Sequence, residues 1–198
     1  MAKVVKFPTP VPEKFGPLKV RTKKLSAPAK ASQLNLFTGG KIVKLNPLTP
    51  FEEALLFDEN GDKKAAREQY LKAVSEGDST ADAYCNVGII ETQELQYARA
   101  IDCFTRCLKA DPRHYEAHYN LANLYSEVGN FALAKLHYET AIEIEPSFTN
   151  AYFNLALALA MNKDFKDAVR ILMDYRSLTP VEDHKLTDDL INKLSSVE

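Results

Sequence analysis

Residues 81–182 repeat with a period of 34, three times and without a gap. The segments are ADAYCNVGIIETQELQYARAIDCFTRCLKADPRH (81–114), YEAHYNLANLYSEVGNFALAKLHYETAIEIEPSF (115–148) and TNAYFNLALALAMNKDFKDAVRILMDYRSLTPVE (149–182). Place four carries Tyr84, His118 and Tyr152, place seven Val87, Leu121 and Leu155, and place eight Gly88, Ala122 and Ala156. Place twenty carries Ala100, Ala134 and Ala168, place twenty-four Phe104, Tyr138 and Leu172, and place thirty-two Pro112, Pro146 and Pro180. Residues 47–80 enter the same frame more loosely, through Ala54, Phe57, Gly61, Ala66, Tyr70 and Ala73, with Asp78 where the others close on proline. A fixed period of this length confines the chain to an array of like supersecondary units, each packed on its neighbours.

Each unit reads as two helices. Apolar residues recur at i, i+3, i+4 and i+7, a glycine or polar turn falls in mid-repeat, and proline ends the second helix. Small residues at places eight and twenty allow the two helices to close on one another. Residues 183–198, DHKLTDDLINKLSSVE, put Leu186, Leu190, Ile191 and Leu194 on one stripe, as a terminal capping helix requires.

These spacings resemble the tetratricopeptide repeat family, with the match running over 47–182 as repeats 47–80, 81–114, 115–148 and 149–182. The resemblance implies an all-α fold, a right-handed superhelix whose first helices line a concave groove that binds peptides or partner proteins. Pro50 stands where the first repeat usually has a bulky residue, so its first helix is expected to start near Phe51.

Asn86, Asn120 and Asn154 share place six, and Asn123 takes place nine of the middle repeat. Asparagine is a mediocre helix former, so its recurrence inside helices asks for a reason. In tetratricopeptide arrays these places look into the groove, and a carboxamide can meet both the N–H and the C=O of an extended peptide. Each such bond is worth about 0.5–1.5 kcal/mol net, which supports binding near micromolar unless side-chain pockets add to it. The alternative is that these amides bond within the repeats. Glu116, Tyr119, Phe153, Ile89 and Glu127 would complete an aromatic and acidic wall that favours a basic or apolar ligand. Ile89 and Leu55 would equally serve self-association. The cations by which cochaperones of this family clamp a C-terminal carboxylate are missing. In one register their places hold Cys85, Ile89, Asn120, Asn150 and Asn154, and in the other Phe51, Leu55, Asn86, Glu116 and Asn120.

Residues 1–46 break the pattern. Pro8, Pro10, Pro12, Pro17 and Pro28 punctuate them and no helical period survives, so an extended or disordered arm is expected. Residues 1–44 carry ten Lys/Arg against one acid, +9, while the remainder carries 15 against 26, −11, for a net charge of −2. Such an arm suits a polyanion or an acidic protein surface. Within it, Gln33, Leu34, Asn35, Leu36 and Phe37 resemble the pentapeptide by which bacterial DNA-replication and repair proteins dock on the sliding clamp. Alternatively Leu34, Leu36 and Phe37 cap the first repeat, or the stretch forms a hairpin about Gly39–Gly40.

No apolar run approaches the ~20 residues of a membrane span, and Cys85, Cys103 and Cys107 fall in helical pattern, which favours reduced thiols and a cytoplasmic setting. Cys103 with Cys107 and His114 with His118 are each four apart, a spacing that can chelate metal. The repeat frame accounts for them instead: Cys107 fills a small-residue place, His118 the bulky fourth place, and His114 sits at a boundary beside Pro112. No metal site and no cofactor are expected. No nucleophile–base pair, phosphate loop or clustered acid pair appears, so the expected work is that of a non-catalytic scaffold or adaptor. The first rival reading is a DNA-maintenance accessory docking through residues 33–37, and the second is an enzyme accessory or metal-binding module using Cys103, Cys107 and His114.

Overall fold

The structure is a computed structural model that describes residues 48–196. The basic arm, with Gln33, Leu34, Leu36 and Phe37, lies outside the described residues. Within them the chain forms nine α-helices and no strand: α1 (Pro50–Glu59), α2 (Lys63–Glu76), α3 (Thr80–Gln93), α4 (Tyr97–Ala110), α5 (Tyr115–Glu127), α6 (Phe131–Ile144), α7 (Thr149–Met161), α8 (Phe165–Leu178) and α9 (His184–Ser195). A single 3₁₀ turn, Val181–Asp183, leads into α9. No helix is long and apolar enough to cross a membrane.

The helix ends follow from local chemistry. Thr49 Oγ1 accepts from the Glu52 N–H at 3.3 Å while Glu52 Oε2 accepts from the Thr49 N–H at 2.9 Å, a capping box at the head of α1. Helix α1 therefore begins at Pro50, one residue earlier than expected, because a first-turn proline gives up an N–H that would have had no helical partner. Asp78 replaces the closing proline with a different function: its Oδ2 accepts from the Phe51 N–H at 3.0 Å and ties the end of the first pair to its beginning. The turn inside each pair takes a left-handed residue at place fifteen, Gly61 (φ 79°), Leu95 (59°), Gly129 (77°) and Lys163 (70°). Two repeats meet that demand with glycine, and two force a side chain into a conformation costing about 1–2 kcal/mol.

Each pair, α1/α2 through α7/α8, packs most extensively on itself, and its second helix then lies against the next pair. Direct contacts also run between the first helices α3 and α5, and α5 and α7. The alanines at place twenty, Ala66, Ala100, Ala134 and Ala168, are all fully buried, where the two helices cross. Place eight is tighter still in the second repeat: a Cβ on Gly88 would stand 2.7 Å from Phe104 Cε1. At the same two places the third repeat carries Ala122 and Tyr138 and the fourth Ala156 and Leu172, all buried. Between the first and second pairs, Arg67 Nε meets the buried Glu91 carboxylate at 2.8 Å, and the same guanidinium also pairs with Glu94. Helix α9 closes the end of the array with Thr187, Leu190 and Leu194 buried and Ile191 packed beside them. Leu186, expected on that stripe, is exposed, and Thr187 takes the inward position instead.

Leu95 is 71% exposed and has no core contact to lose, so Leu95→Gly should raise stability by about 0.5–1 kcal/mol in chemical denaturation, against a loss if its φ were unstrained. Gly88→Ala should lower stability by about 1–2 kcal/mol despite the better helix propensity of alanine. Adding Phe104→Leu, which copies the Ala156–Leu172 pair, should recover part of that loss.

Candidate functional site

The asparagines of place six all sit where one repeat meets the previous one. Asn86 and Asn120 are buried, at 1% and 3% exposure, and Asn154 is half-buried. Asn154 Nδ2 donates to Asn123 Oδ1 at 2.9 Å and to the Tyr119 hydroxyl at 3.0 Å, and the Tyr138 hydroxyl donates to the same Asn123 oxygen at 2.6 Å. Helices α5, α6 and α7 are thus joined through one carboxamide oxygen. Asn86 lies near the Tyr70 hydroxyl of the preceding repeat without the bond geometry seen at Asn154. Phe104 occupies that place before the third repeat and offers no hydroxyl, and there Asn120 Nδ2 points to Cys85 Sγ at 3.9 Å. The amides at place six therefore serve the junctions between repeats. In this conformation Asn86 and Asn120 present almost no surface to a ligand.

Three other residues expected on the groove wall also lie in the core. Ile89, Tyr119 and Phe153 are buried, because the first helices are covered by their own second helices and by the next pair. Tyr119 packs edge-on against Phe148 at 4.9 Å, and Phe153 lies tilted against Tyr175 at 5.3 Å. Burial raises the Tyr119 phenol to about 12, with Asn123 and Asn154 opposing it. Glu116, Asn123 and Asn154 remain half-exposed on α5 and α7, and Glu127 is exposed at the end of α5.

The sulfurs and imidazoles do not pair at the i, i+4 spacing. Cys103 stands apart, half-buried, with its thiol raised to about 11 by burial and by Glu91 and Asp102. Cys107 instead meets Cys85 of α3 and His114, the N-cap of α5. His114 Nε2–H donates to Asp82 Oδ1 at 3.1 Å, and Nδ1 accepts from the Ala117 N–H at 3.2 Å. Burial alone would lower this imidazole, but Asp82, Cys107 and Glu116 outweigh it and raise it. Protonation of Nδ1 exchanges the cap for an ion pair with Glu116 Oε2, 3.4 Å away. The Cys85 thiol and the His114 ring draw Cys107 below its usual value against burial, whereas burial and Cys107 push Cys85 up. Cys85 escaped the sequence reading because its partners lie 22 and 29 positions downstream, at a separation that only helix pairing brings together.

His118 turns away from His114. Its Nε2–H donates to the Pro112 carbonyl at 3.3 Å, as the Tyr152 hydroxyl donates to the Pro146 carbonyl at 3.1 Å one repeat later. The other nitrogen of His118 then accepts from His137 Nδ1–H at 3.0 Å, with Tyr125 stacked on His137. This bond requires His118 Nδ1 to be unprotonated, and burial keeps both rings neutral. Burial and then His118 hold His137 down to about 4, and burial lowers His118. Unfolded, each titrates near 6.5, so the stability they contribute is present above that value and is lost as pH falls towards 4. His114, raised in the fold, acts with the opposite sign, so the comparison with a variant isolates the pair. The thermal midpoint of the parent chain should fall relative to that of His137→Asn between pH 6.5 and pH 5; a constant difference over that range would refute the assignment.

Profiles of the tetratricopeptide repeat match residues 93–126, 115–148 and 137–170. The human protein O-mannosyl-transferase TMTC3 is 32% identical over 123 residues, which make up 57% of this chain and only 13% of that protein. Among solved structures, YrrB, described as a TPR protein with an unusual peptide-binding site, superposes with a TM-score of 0.60 at 20% identity, over 75% of this chain and 84% of its own. The first TPR of Spaghetti (RPAP3), bound to the HSP90 peptide SRMEEVD, gives 0.54 at 23% identity, over 59% and 90%. A 34-residue frame, stacked helix pairs with small residues between them, and three matching profiles meet over residues 93–170 of this chain, which carry tetratricopeptide repeats.

Proposed function

We propose that the chain is a non-catalytic scaffold or adaptor that holds an extended peptide or partner segment against the first helices α3, α5 and α7. The observation that carries this reading is the polar row left half-exposed there, Glu116, Asn123 and Asn154, with Glu127 at its edge. Asn123 and Asn154 are already oriented by bonds to Tyr119 and Tyr138, so a ligand meets fixed dipoles and loses little to ordering them. Spaghetti and YrrB, described as peptide-bound and peptide-binding, support the same use of the fold. The acidic residues argue for a ligand that is basic or apolar and against an acidic tail like the HSP90 peptide, since the clamp places carry no cation. The free thiols of Cys85, Cys103 and Cys107 fit a reducing compartment, and we place this work in the cytoplasm.

Selection of a displayed random-peptide library on the full-length chain should enrich peptides that are net basic and bind in the micromolar range. Glu116→Gln combined with Glu127→Gln should weaken them about 5–10-fold, and so should raised salt. Enrichment of acidic peptides, or affinity indifferent to both glutamates, would count against this ligand class.

A further inference from the structure

Cys85, Cys107 and His114 arrive from α3, from the last turn of α4 and from the N-cap of α5, and their exposures are 0%, 0% and 4%. Their two sulfurs and a ring nitrogen all lie within 4.8 Å of one another. Sulfur and imidazole ligands sit at about 2.3 and 2.0 Å from Zn²⁺, so in a tetrahedral site donors stand roughly 3.5–4 Å apart. Side-chain rotations of roughly 1 Å would bring these three to that spacing.

Buried cysteines often serve as small hydrophobes, and Cys85 and Cys107 do line an apolar cluster with Ile89, Ala100 and Phe104. The other repeats show what such a role looks like at the same places. Place five holds Phe51, Tyr119 and Phe153 elsewhere, all buried aromatic rings, and place thirty-four of the next repeat holds Phe148. There Tyr119 and Phe148 pack edge-on as an apolar staple between repeats. In the repeat 81–114 that staple is replaced by Cys85 and His114, and Cys107 joins them from place twenty-seven, where Ala73 and Ala141 stand in the neighbouring repeats. An apolar joint has been exchanged for a converging set of two thiols and an imidazole.

The surroundings complete the set. Asp82 Oδ1, 3.1 Å from His114 Nε2, holds that nitrogen's proton and orients the ring as the carboxylate partner of metal-bound histidines does, so the metal takes Nδ1, which gives up its bond from the Ala117 N–H. Asn120 Nδ2 faces Cys85 Sγ at 3.9 Å, and such a donor stabilises a thiolate. Glu116 Oε2, 3.4 Å from Nδ1, supplies a carboxylate beside the site for the remaining position. We propose that Cys85, Cys107 and His114 bind a thiophilic divalent cation of the Zn²⁺ type, which joins the second helix pair to the third where the next junction uses an aromatic staple. Binding displaces to solvent the protons of the two thiols and any proton on His114 Nδ1; the two thiolates balance the cation's charge, and the Glu116 carboxylate adds one negative charge.

The test uses the full-length chain, reduced, stripped with chelator and titrated with Co²⁺ and then Zn²⁺. One equivalent of Co²⁺ should give thiolate-to-metal charge-transfer and tetrahedral ligand-field bands that Zn²⁺ displaces. Cys107→Ala should abolish them while keeping the fold by circular dichroism, since alanine stands at that place in two other repeats. Cys85→Ser should abolish them too, Cys103→Ala should leave them intact, and Asp82→Asn should weaken binding about 10–100-fold. Zn²⁺ should raise the thermal midpoint of the parent chain but not of Cys107→Ala. Absence of a stoichiometric band, its survival in Cys107→Ala, or its loss in Cys103→Ala would overturn the assignment.

Discussion

Every helix pair in this array carries an apolar face that it cannot cover alone, so the stacking of each second helix on the following pair is the contact on which everything else rests. That stacking works only if the helices of a pair approach closely, and the fully buried alanines of place twenty and the glycine or alanine of place eight make the approach possible. Where the approach is closest, Gly88 lies under the Phe104 ring with no room for a methyl group. The ends of the array need separate solutions. Asp78 and the Thr49–Glu52 box secure the first pair, and α9 covers the last with Leu190 and Leu194.

The junctions created by stacking are not wholly apolar, and their polar groups have to be satisfied in place. At one junction Asn154, Asn123, Tyr119 and Tyr138 do this as a single network. At another Arg67 forms ion pairs with Glu91 and Glu94. Between the second and third pairs the polar groups are Asp82, His114, Cys85 and Cys107. Because each repeat touches chiefly its neighbours, such differences set the strength of individual joints without changing the fold. The same closeness of the helices explains why residues expected on a binding wall are covered: a first helix is packed against its own second helix and the neighbouring pairs.

Much of this was legible in the order of residues. The 34-residue period, the helix pairs and the terminal helix follow from recurrent small and apolar places, because those places reflect backbone approach, which any repeat must respect. Place fifteen was legible only in half: Gly61 and Gly129 announce a left-handed residue, while Leu95 and Lys163 occupy the same conformation without announcing it. The candidate site was less legible. An i, i+4 reading paired Cys103 with Cys107 and His114 with His118, whereas packing sends Cys107 to Cys85 and His118 to His137.

By itself the sequence determined the architecture, since periodicity and small-residue spacing act through local helix geometry and the nearest neighbour along the chain. Which face of each asparagine, tyrosine and cysteine meets which partner was decided only by the tertiary structure. Those contacts lie between helices, and the rotation of one helix against the next places Asn86 and Asn120 inside the junctions and leaves Glu116, Asn123 and Asn154 at the surface.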